Sequence, residues 1–322
     1  MDCTGAVTAA IAAFVDRHLE GRSEVCVGLS GGPDSLALTA GAVRAGLSVR
    51  ALIVDHGLQH NSHHVADAAA AEAQRLGADS TVLGVTVGHD GGMEAAARTA
   101  RYAALDAARD GRPVLLAHTM DDQAETVLLG LARGSGARSL AGMRSWREPW
   151  GRPLLGLRRS DTVGACTELG LAPHADPHNR DPRFTRVRLR SEVLPLLDEV
   201  VHGGVVAALA RTADALAADG DALDAIAVQH YSTAKRDETD LDIASLVETP
   251  PAIRTRVLRL WLLDVGATEP TSRVIGAVDE LLRTADKGGA AKAQVAIGGD
   301  ADHRLVAVVA GYRLTVGTTP RA

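Results

Sequence analysis

The sequence predicts an α/β protein: a doubly wound, mostly parallel sheet followed by a smaller, mainly helical C-terminal domain. First, an apolar run at residues 25–29 leads through a glycine turn into a helical pattern. Second, strand and helix patterns of ordinary length alternate as far as residue 134. Third, the pattern after residue 203 is mainly helical and alternates only near the C-terminus.

Length and composition are those of an ordinary globular protein. The chain has 322 residues, 46% of them hydrophobic, which is enough for one large domain and a smaller one. No apolar run approaches the ~20 residues of a membrane helix, and no basic segment precedes an apolar core as in a signal peptide. We therefore expect no membrane association.

The cysteine pattern bears on location and chemistry. Cys3, Cys26 and Cys166 stand far apart and form no C-x-x-C pair. This argues against a structural zinc, an iron–sulfur cluster or thiolation chemistry. A reduced, cytoplasmic location fits.

The first two thirds of the chain contain the predicted strand and helix units. A helix over residues 6–20 precedes strand 25–29, whose following helix runs to about residue 45. Strand 48–54 then closes a right-handed parallel crossover. The next predicted elements are helix 62–76, strand 80–87, helix 94–109, strand 113–117 and helix 121–131.

The last part of the chain is predicted to be helical before it ends in short strands. Helices are predicted over 161–169, 185–197 and 204–229, a helical unit over 243–283, and antiparallel strands at 294–297, 304–309 and 312–316. We accordingly predict an N-terminal domain over residues 1–202, a linker helix over 203–231 and a small C-terminal domain over 232–322.

The turn Ser30-Gly31-Gly32-Pro33-Asp34-Ser35 has the properties of an anion site. Paired glycines let the backbone approach an oxyanion, and the unpaired N–H groups of the following helix add partial positive charge. It is not a Walker A loop, because no lysine occurs before Lys235. A structural turn capped by Asp34 and Ser35 is an alternative interpretation. Residues 28–32 also match a G-x-S-x-G nucleophile elbow, but that elbow normally follows several earlier strands, and here one predicted helix precedes it.

A second polar segment follows the predicted strand 113–117. His118 and Thr119 end the strand, and the helix after them begins with acidic residues. Asp121, Asp122 and Glu125 are three or four residues apart, so their carboxylates share the first turn. Such acids also complement a helix dipole. Beside a phosphate loop, three carboxylates favour a Mg²⁺ site.

Basic residues are concentrated in two segments although the net charge is −6. The first lies between residues 133 and 159 and the second between residues 180 and 190. Both can contact the phosphates of RNA or of a nucleotide. Their arginines are Arg133, Arg138, Arg144, Arg147, Arg152, Arg158 and Arg159, then Arg180, Arg183, Arg186, Arg188 and Arg190.

Several motifs carry a family resemblance. Ser30-Gly31-Gly32-x-Asp34-Ser35 resembles the PP-loop of N-type ATP pyrophosphatases, which cut ATP between its α- and β-phosphates. Together with the other blocks it resembles the signature of the tRNA(Ile)-lysidine synthetase family. Those blocks are Val54-Asp55-His56-Gly57-Leu58, Arg98 with Arg101-Tyr102, Ala117-His118-Thr119-x-Asp121-Asp122-Gln123-Ala124-Glu125, Arg133-Gly134-Ser135-Gly136, Arg152-Pro153-Leu154-Leu155, Asp176-x-x-Asn179-x-Asp181, and Thr185-Arg186 with Arg190.

The resemblance implies a PP-loop ATPase fold and an ATP- and Mg²⁺-dependent ligase. Such enzymes adenylate C2 of the wobble cytidine in the CAU anticodon of tRNA(Ile), releasing pyrophosphate. Free L-lysine then displaces AMP, and decoding changes from AUG to AUA. The C-terminal domain is implied to bind the tRNA, and a homodimer is compatible with the sequence. The alternatives are another PP-loop adenylating tRNA-modifying enzyme and a non-catalytic nucleotide-binding module.

The resemblance also implies roles for single residues. The catalytic residues would be Asp34, Arg98, Arg101, Asp121, Asp122, Glu125 and Arg186. ATP would be held by Ser30, Gly31, Gly32, Pro33, Asp34, Ser35, His56 and His118. Lysine and tRNA would meet Asp121, Glu125, Arg133, Arg186 and Arg190, and Mg²⁺ would meet Asp34 and Asp121. Two positions depart from the family pattern, Gln59 where arginine is usual and Val187 where asparagine is common.

Overall fold

A computed structural model of the chain describes most of its residues. The described residues are 2–57, 62–88, 93–134, 136–174, 176, 181–268, 270–286 and 294–321, with only the backbone at 93, 94, 285 and 286. Of the residues quoted above, Leu58, Gln59, Ser135, Asn179 and Arg180 lie outside these ranges.

The N-terminal part alternates strands and helices as the sequence predicts. Its helices are α1 (Cys3–His18), α2 (Pro33–Arg44), α3 (Ser62–Arg75), α4 (Met93–Ala108), α5 (Met120–Ala132), α6 (Ala137–Leu140) and α7 (Arg159–Glu168). Its strands are β1 (Glu24–Gly28), β2 (Ser48–Asp55), β3 (Asp79–Gly84), β4 (Val114–Leu115), β5 (Trp146–Arg147) and β6 (Trp150–Gly151).

These six strands form one sheet in the order β3-β2-β1-β4-β6-β5, in which only the β5–β6 pair is antiparallel. The central strand β1 pairs with β2 on one side and β4 on the other, and Val25, Cys26 and Val27 are fully buried. Ligands bind an open α/β sheet at the carboxyl ends of its strands, where neighbouring connections diverge. The Ser30 turn and the His118 segment, after β1 and β4, lie at that point. The predicted doubly wound, mostly parallel fold is confirmed.

The C-terminal part combines helices with a four-stranded antiparallel sheet in the order β7-β10-β9-β8. Between the N-terminal and C-terminal parts lie α8 (Thr185–Arg188), a π-helical segment (Leu189–Val193), α9 (Leu194–Val200) and α10 (Val205–Ala234). The later helices are α11 (Ile243–Val247), α12 (Pro251–Asp264) and α13 (Ser272–Asp286). The strands are β7 (Leu241–Asp242), β8 (Gln294–Gly299), β9 (His303–Ala310) and β10 (Arg313–Pro320). The predicted tail strands are present.

The chain divides into two compact units, Met1–Ala217 and Ala218–Ala322. The point of division lies within α10. The core of the first unit includes Val7, Ile11 and Val27, and that of the second includes Trp261 and Leu258. Among the described residues, no single helix has both the length and the hydropathy needed to cross a membrane. Only a bent pair of helices, Thr185–Val200 with Val205–Ala234, passes both tests when taken together.

Gly41 allows α1 and α2 to pack closely, and this leads to a first prediction. A Cβ at Gly41 would lie 2.7 Å from both Val7 Cγ1 and Ile11 Cδ1. Helix propensity alone would favour alanine by about 1 kcal/mol, whereas overpacking costs about 1–3 kcal/mol. We expect Gly41→Ala to lower the free energy of unfolding, measured by urea denaturation. Gly276→Ala is the control, because its Cβ would enter open space within α13, and it should stabilise. A stabilised Gly41→Ala variant would contradict the packing argument.

Candidate active site

The turn after β1 is built as an anion site. Gly31 has a φ of +79°, which glycine adopts without strain. Gly32 is the N-cap of α2 and has no side chain that could cap the helix. The first N–H groups of the helix are therefore left for a ligand. Ser35 Oγ donates to the Gly32 carbonyl oxygen at 3.0 Å and accepts from Ser30 N at 3.2 Å. The turn is therefore fixed without filling the site.

The same contacts decide against a serine nucleophile. Ser30 Oγ lies 3.1 Å from Ser35 Oγ, and no hydrogen bond to a histidine is found for it among the described residues. A nucleophilic serine needs an adjacent base to remove its proton. The nucleophile-elbow interpretation of residues 28–32 is therefore not supported.

A cleft of about 410 Å³ adjoins the turn at the ends of β1 and β2. Leu29, Ile53 and Ala66 give it apolar walls, while Ser30, His56 and Arg101 contribute polar atoms. His56 Nδ1 is buried and has no partner among the described residues. A cleft that combines apolar walls with polar groups, one of which has no described partner, suits a nucleoside.

The acidic segment after β4 is held by a capping box at the start of α5. Asp122 Oδ2 accepts hydrogen bonds from Thr119 N and Thr119 Oγ1, each at 2.8 Å. This arrangement satisfies unpaired donors at the helix N-terminus. Because Asp122 is fixed, Asp121 and Glu125 are also fixed relative to the strand ends.

Helix α7 connects this segment to the turn after β1 through Arg159. Its Nε donates to Asp34 Oδ2 at 3.1 Å and its Nη2 to Asp122 Oδ1 at 2.8 Å. Thr162 Oγ1 donates to the other oxygen of Asp34. Asp121 accepts from the Arg159 backbone N–H at 2.8 Å and from the Arg158 guanidinium. The acids predicted to act together are thus in one network.

Glu125 and Arg190 complete the network. Glu125 is fully buried, and its Oε1 accepts from Arg190 Nε at 2.7 Å. The second oxygen, Oε2, is buried and has no partner among the described residues. Arg190 also places Nη2 3.6 Å from Asp122 Oδ1. Four carboxylates and three arginines therefore meet beside the turn.

Comparison with known proteins identifies the family. A model described as a PP-loop domain matches residues 5–197, and one described as a TilS substrate binding domain matches residues 241–305. A relative from Nocardia farcinica named tRNA(Ile)-lysidine synthase is 56% identical, covering 97% of this chain and 98% of its own. Another of that name from Mycobacterium bovis is 58% identical over 85% of each chain. The chain belongs to the tRNA(Ile)-lysidine synthase family.

A solved structure supports the fold of this family member. The U34-tRNA thiolase NcsA from Methanococcus maripaludis aligns with a TM-score of 0.54 and 18% identity, covering 66% of this chain and 79% of that one. At this identity the likeness concerns the fold alone. The sequence-based predictions of a lysidine synthase, of its PP-loop fold and of an ATP-dependent ligase are confirmed.

The carboxyl groups of the network differ in their acidity. Burial raises the pKa of Asp34 and of Glu125, even though Arg159 and Arg190 oppose the shift. Burial also acts to raise the pKa of Asp121 and of Asp122. At these two residues the hydrogen bonds and charges of Arg158, Arg159 and Thr119 outweigh burial, so each pKa is lowered. Acids with such divergent environments can take different roles in one reaction.

His118 and the two arginines of α4 were also predicted to belong to the site. Burial lowers the pKa of His118 to about 3, so its ring is neutral at physiological pH. Its Nδ1 is buried without a partner among the described residues. Arg101 lines the cleft. Arg98 is exposed and lies over the ring of Tyr102, 5.0 Å from its centroid.

The remaining predicted site residues lie outside the network. Arg133 is exposed just after α5, and Arg186 is half-buried in α8. Neither appears in a described hydrogen bond or ion pair of the carboxylates. They remain predicted contacts for tRNA.

Arg159 and Thr162 belong to the network, but the sequence alone does not single them out. Arg159 is one of several arginines in a basic segment, and no motif marks Thr162. A cluster of buried acids requires nearby cations, and the start of the helix predicted at 161–169 was one place to look for them. Only the packing of α7 against α2 shows which arginine meets Asp34.

The donor set of this site fits a hard divalent cation. Asp34 and Asp121 offer carboxylate oxygens, which Mg²⁺ prefers together with phosphate oxygens and water. Among the described residues no three Asp, Glu, His or Cys side chains are arranged to hold a metal ion by themselves. The residues therefore suit a metal that shares its ligands with a nucleotide.

Proposed function

We propose that this chain uses ATP to ligate free L-lysine to C2 of the wobble cytidine in the CAU anticodon of tRNA(Ile). The observation that carries the proposal is the meeting of Asp34, Asp121, Asp122 and Glu125 beside the PP-loop turn and a nucleoside-sized cleft. The substrate is inferred from the close similarity to proteins named tRNA(Ile)-lysidine synthase. The product pairs with adenosine, so the tRNA reads AUA instead of AUG.

In the first step the C2 oxygen of cytidine attacks the α-phosphorus of ATP, and pyrophosphate leaves. Ser30, Gly31, Gly32, Pro33, Asp34 and Ser35 form the turn that holds the pyrophosphate portion, with His56 and His118 nearby. Arg98 and Arg101 neutralise the negative charge that develops. Mg²⁺ bound by Asp34 and Asp121 would supply further charge neutralisation on the phosphate oxygens.

In the second step an ammonium group of lysine gives up one proton and attacks C2 as a neutral amine. The nitrogen loses a second proton as the new C–N bond replaces the C2–O bond, and AMP departs with that oxygen. Asp121, Asp122 and Glu125 recognise the ammonium group of lysine. Glu125 has an unpartnered buried oxygen and a raised pKa, both of which suit proton acceptance.

Recognition of tRNA is assigned to arginines and to the C-terminal unit. Arg133, Arg186 and Arg190 face the activated base or the RNA backbone in this proposal. Residues 241–305 match a substrate binding domain, which supports tRNA contact by the domain predicted at 232–322 beyond the 203–231 linker. Cytoplasmic location and homodimer formation are kept as predictions.

The test is incubation with ATP, Mg²⁺, radiolabelled lysine and tRNA(Ile) that carries the CAU anticodon. We expect lysine to be incorporated into tRNA with one AMP and one pyrophosphate released per lysine. The initiator or elongator tRNA(Met), with the same anticodon, is the control and should remain unmodified. Adenylation without lysine transfer would indicate another PP-loop tRNA-modifying enzyme. Nucleotide binding without tRNA-dependent AMP release would indicate a non-catalytic module.

A further inference from the structure

Two carboxylates of the site share a single guanidinium. Arg159 bridges Asp34 Oδ2 at 3.1 Å and Asp122 Oδ1 at 2.8 Å. The other oxygens of these carboxylates accept hydrogen bonds from Thr162 and Thr119. Arg159 thus takes up the free acceptor positions of both acids.

The other arginines described near these acids already have carboxylate partners. Arg158 pairs with Asp121, and Arg190 pairs with Glu125 and lies 3.6 Å from Asp122 Oδ1. Without Arg159, Asp34 would keep only the hydroxyl of Thr162 as a described partner. Two carboxylates would then face one another, and Arg190, which already pairs with Glu125, would be the one described arginine still in an ion pair with either of them.

We propose that Arg159 is the resident counter-ion of Asp34 and Asp122 and occupies the place of a divalent cation in the nucleotide-free protein. The free protein accordingly has low affinity for Mg²⁺, and the metal enters together with the nucleotide. The inference deepens the proposed function, because it rests on Asp34 as a metal ligand in that function. It makes Arg159 a positioning residue that controls when the metal binds.

The chemistry of arginine explains how this exchange can occur. A guanidinium presents several donors in one plane, so Nε and Nη2 can reach two separate carboxylates, whereas an ammonium is a point charge. The same fork binds phosphate oxygens strongly. The Arg159 side chain is 24% exposed, which leaves it accessible to an incoming nucleotide. Phosphate groups can therefore compete with Asp34 and Asp122 for the guanidinium as they bring in the metal.

The test is a titration of the full chain with Mg²⁺ alone. Binding is measured by calorimetry, and its effect on stability is measured by thermal unfolding. In the wild type we expect no measurable binding and no shift in Tm at millimolar Mg²⁺. Arg159→Met removes the charge at similar length. We expect its Tm to fall by about 5–10 °C without metal, to recover on addition of Mg²⁺, and its affinity for Mg²⁺ to exceed that of the wild type at least tenfold.

Two further variants make the outcome specific. Arg159→Lys keeps a positive charge and should bind Mg²⁺ as weakly as the wild type. Arg75→Met is the matched control, because Arg75 pairs with Glu72 in an exposed position on α3. It should gain no response to Mg²⁺. If Arg159→Met does not fold, Arg159→Gln takes its place with the same expectation.

The proposal is overturned if the neutral variant binds Mg²⁺ no better than the wild type, or if the wild type itself binds Mg²⁺ tightly without nucleotide. Neither measurement involves tRNA or lysine. A failure of the lysine-transfer assay with a positive titration would reject the proposed function alone. A negative titration with normal lysine transfer would reject the counter-ion role alone.

Discussion

Asp34→Asn should lower the rate of tRNA-dependent AMP release about 100- to 1,000-fold, the range found when one electrostatic group of a catalytic site is removed. Asparagine has the same size as aspartate and can still accept a hydrogen bond from Thr162. It cannot carry the negative charge that Arg159 and the metal require. We therefore expect the loss to appear in turnover, measured as AMP release at saturating ATP and tRNA.

Circular dichroism and thermal unfolding should show that the Asp34→Asn variant keeps its fold. Glu72→Gln provides the matched change, because Glu72 is also paired with an arginine but lies on α3 outside the network. Its AMP release should equal that of the wild type. If the Asp34→Asn variant folds normally and releases AMP at the wild-type rate, Asp34 is not a catalytic residue.

The features that sequence reasoning predicted are local in the chain. The glycine turn follows directly from a short apolar strand and precedes a helix, so residues 30–35 had to lie at a strand end. Likewise Thr119 and Asp122 stand three residues apart, and their capping box fixes the start of α5. Such patterns depend on neighbouring residues and so can be read without a structure.

Long-range pairing could not be predicted in the same way. Arg159 meets Asp34 across 125 residues and Thr162 meets it across 128. Many arginines in the sequence could have paired with Asp34, and only the tertiary packing determines which of them does. The strand predicted at 113–117 is reduced to Val114–Leu115, because only these residues pair with β1 and β6.

The helix predicted at 185–197 illustrates a subtler difference. The sequence predicts one helix, and the structure has an unbroken helical run over Thr185–Val200 whose middle, Leu189–Val193, is π-helical. Arg190 belongs to the π-helical segment, where a wider turn changes the direction of the side chains that follow. Pattern matching at 3.6 residues per turn does not detect this change, yet the segment carries the arginine that pairs with Glu125.

That pair gives the largest expected effect on stability. Arg190→Met should lower the free energy of unfolding by about 3–5 kcal/mol at neutral pH, because it leaves a buried carboxylate without its cation. Glu125 is fully buried, and Arg190 provides its only described hydrogen bond. Chemical denaturation of the variant and the wild type at pH 7 measures the difference.

The pH dependence identifies Glu125 as the cause. Burial already raises the pKa of Glu125, and loss of Arg190 removes the interactions that oppose this shift. A carboxyl group with a raised pKa binds more protons in the folded state than in the unfolded state, so stability increases as the pH falls from 7 toward its ordinary pKa. Arg190→Met should therefore recover part of its loss near pH 5. The double variant Arg190→Met with Glu125→Gln should lose less stability than Arg190→Met at pH 7 and should lack this recovery. An equal loss in both variants would mean that Arg190 stabilises the fold through packing and not through the charge of Glu125.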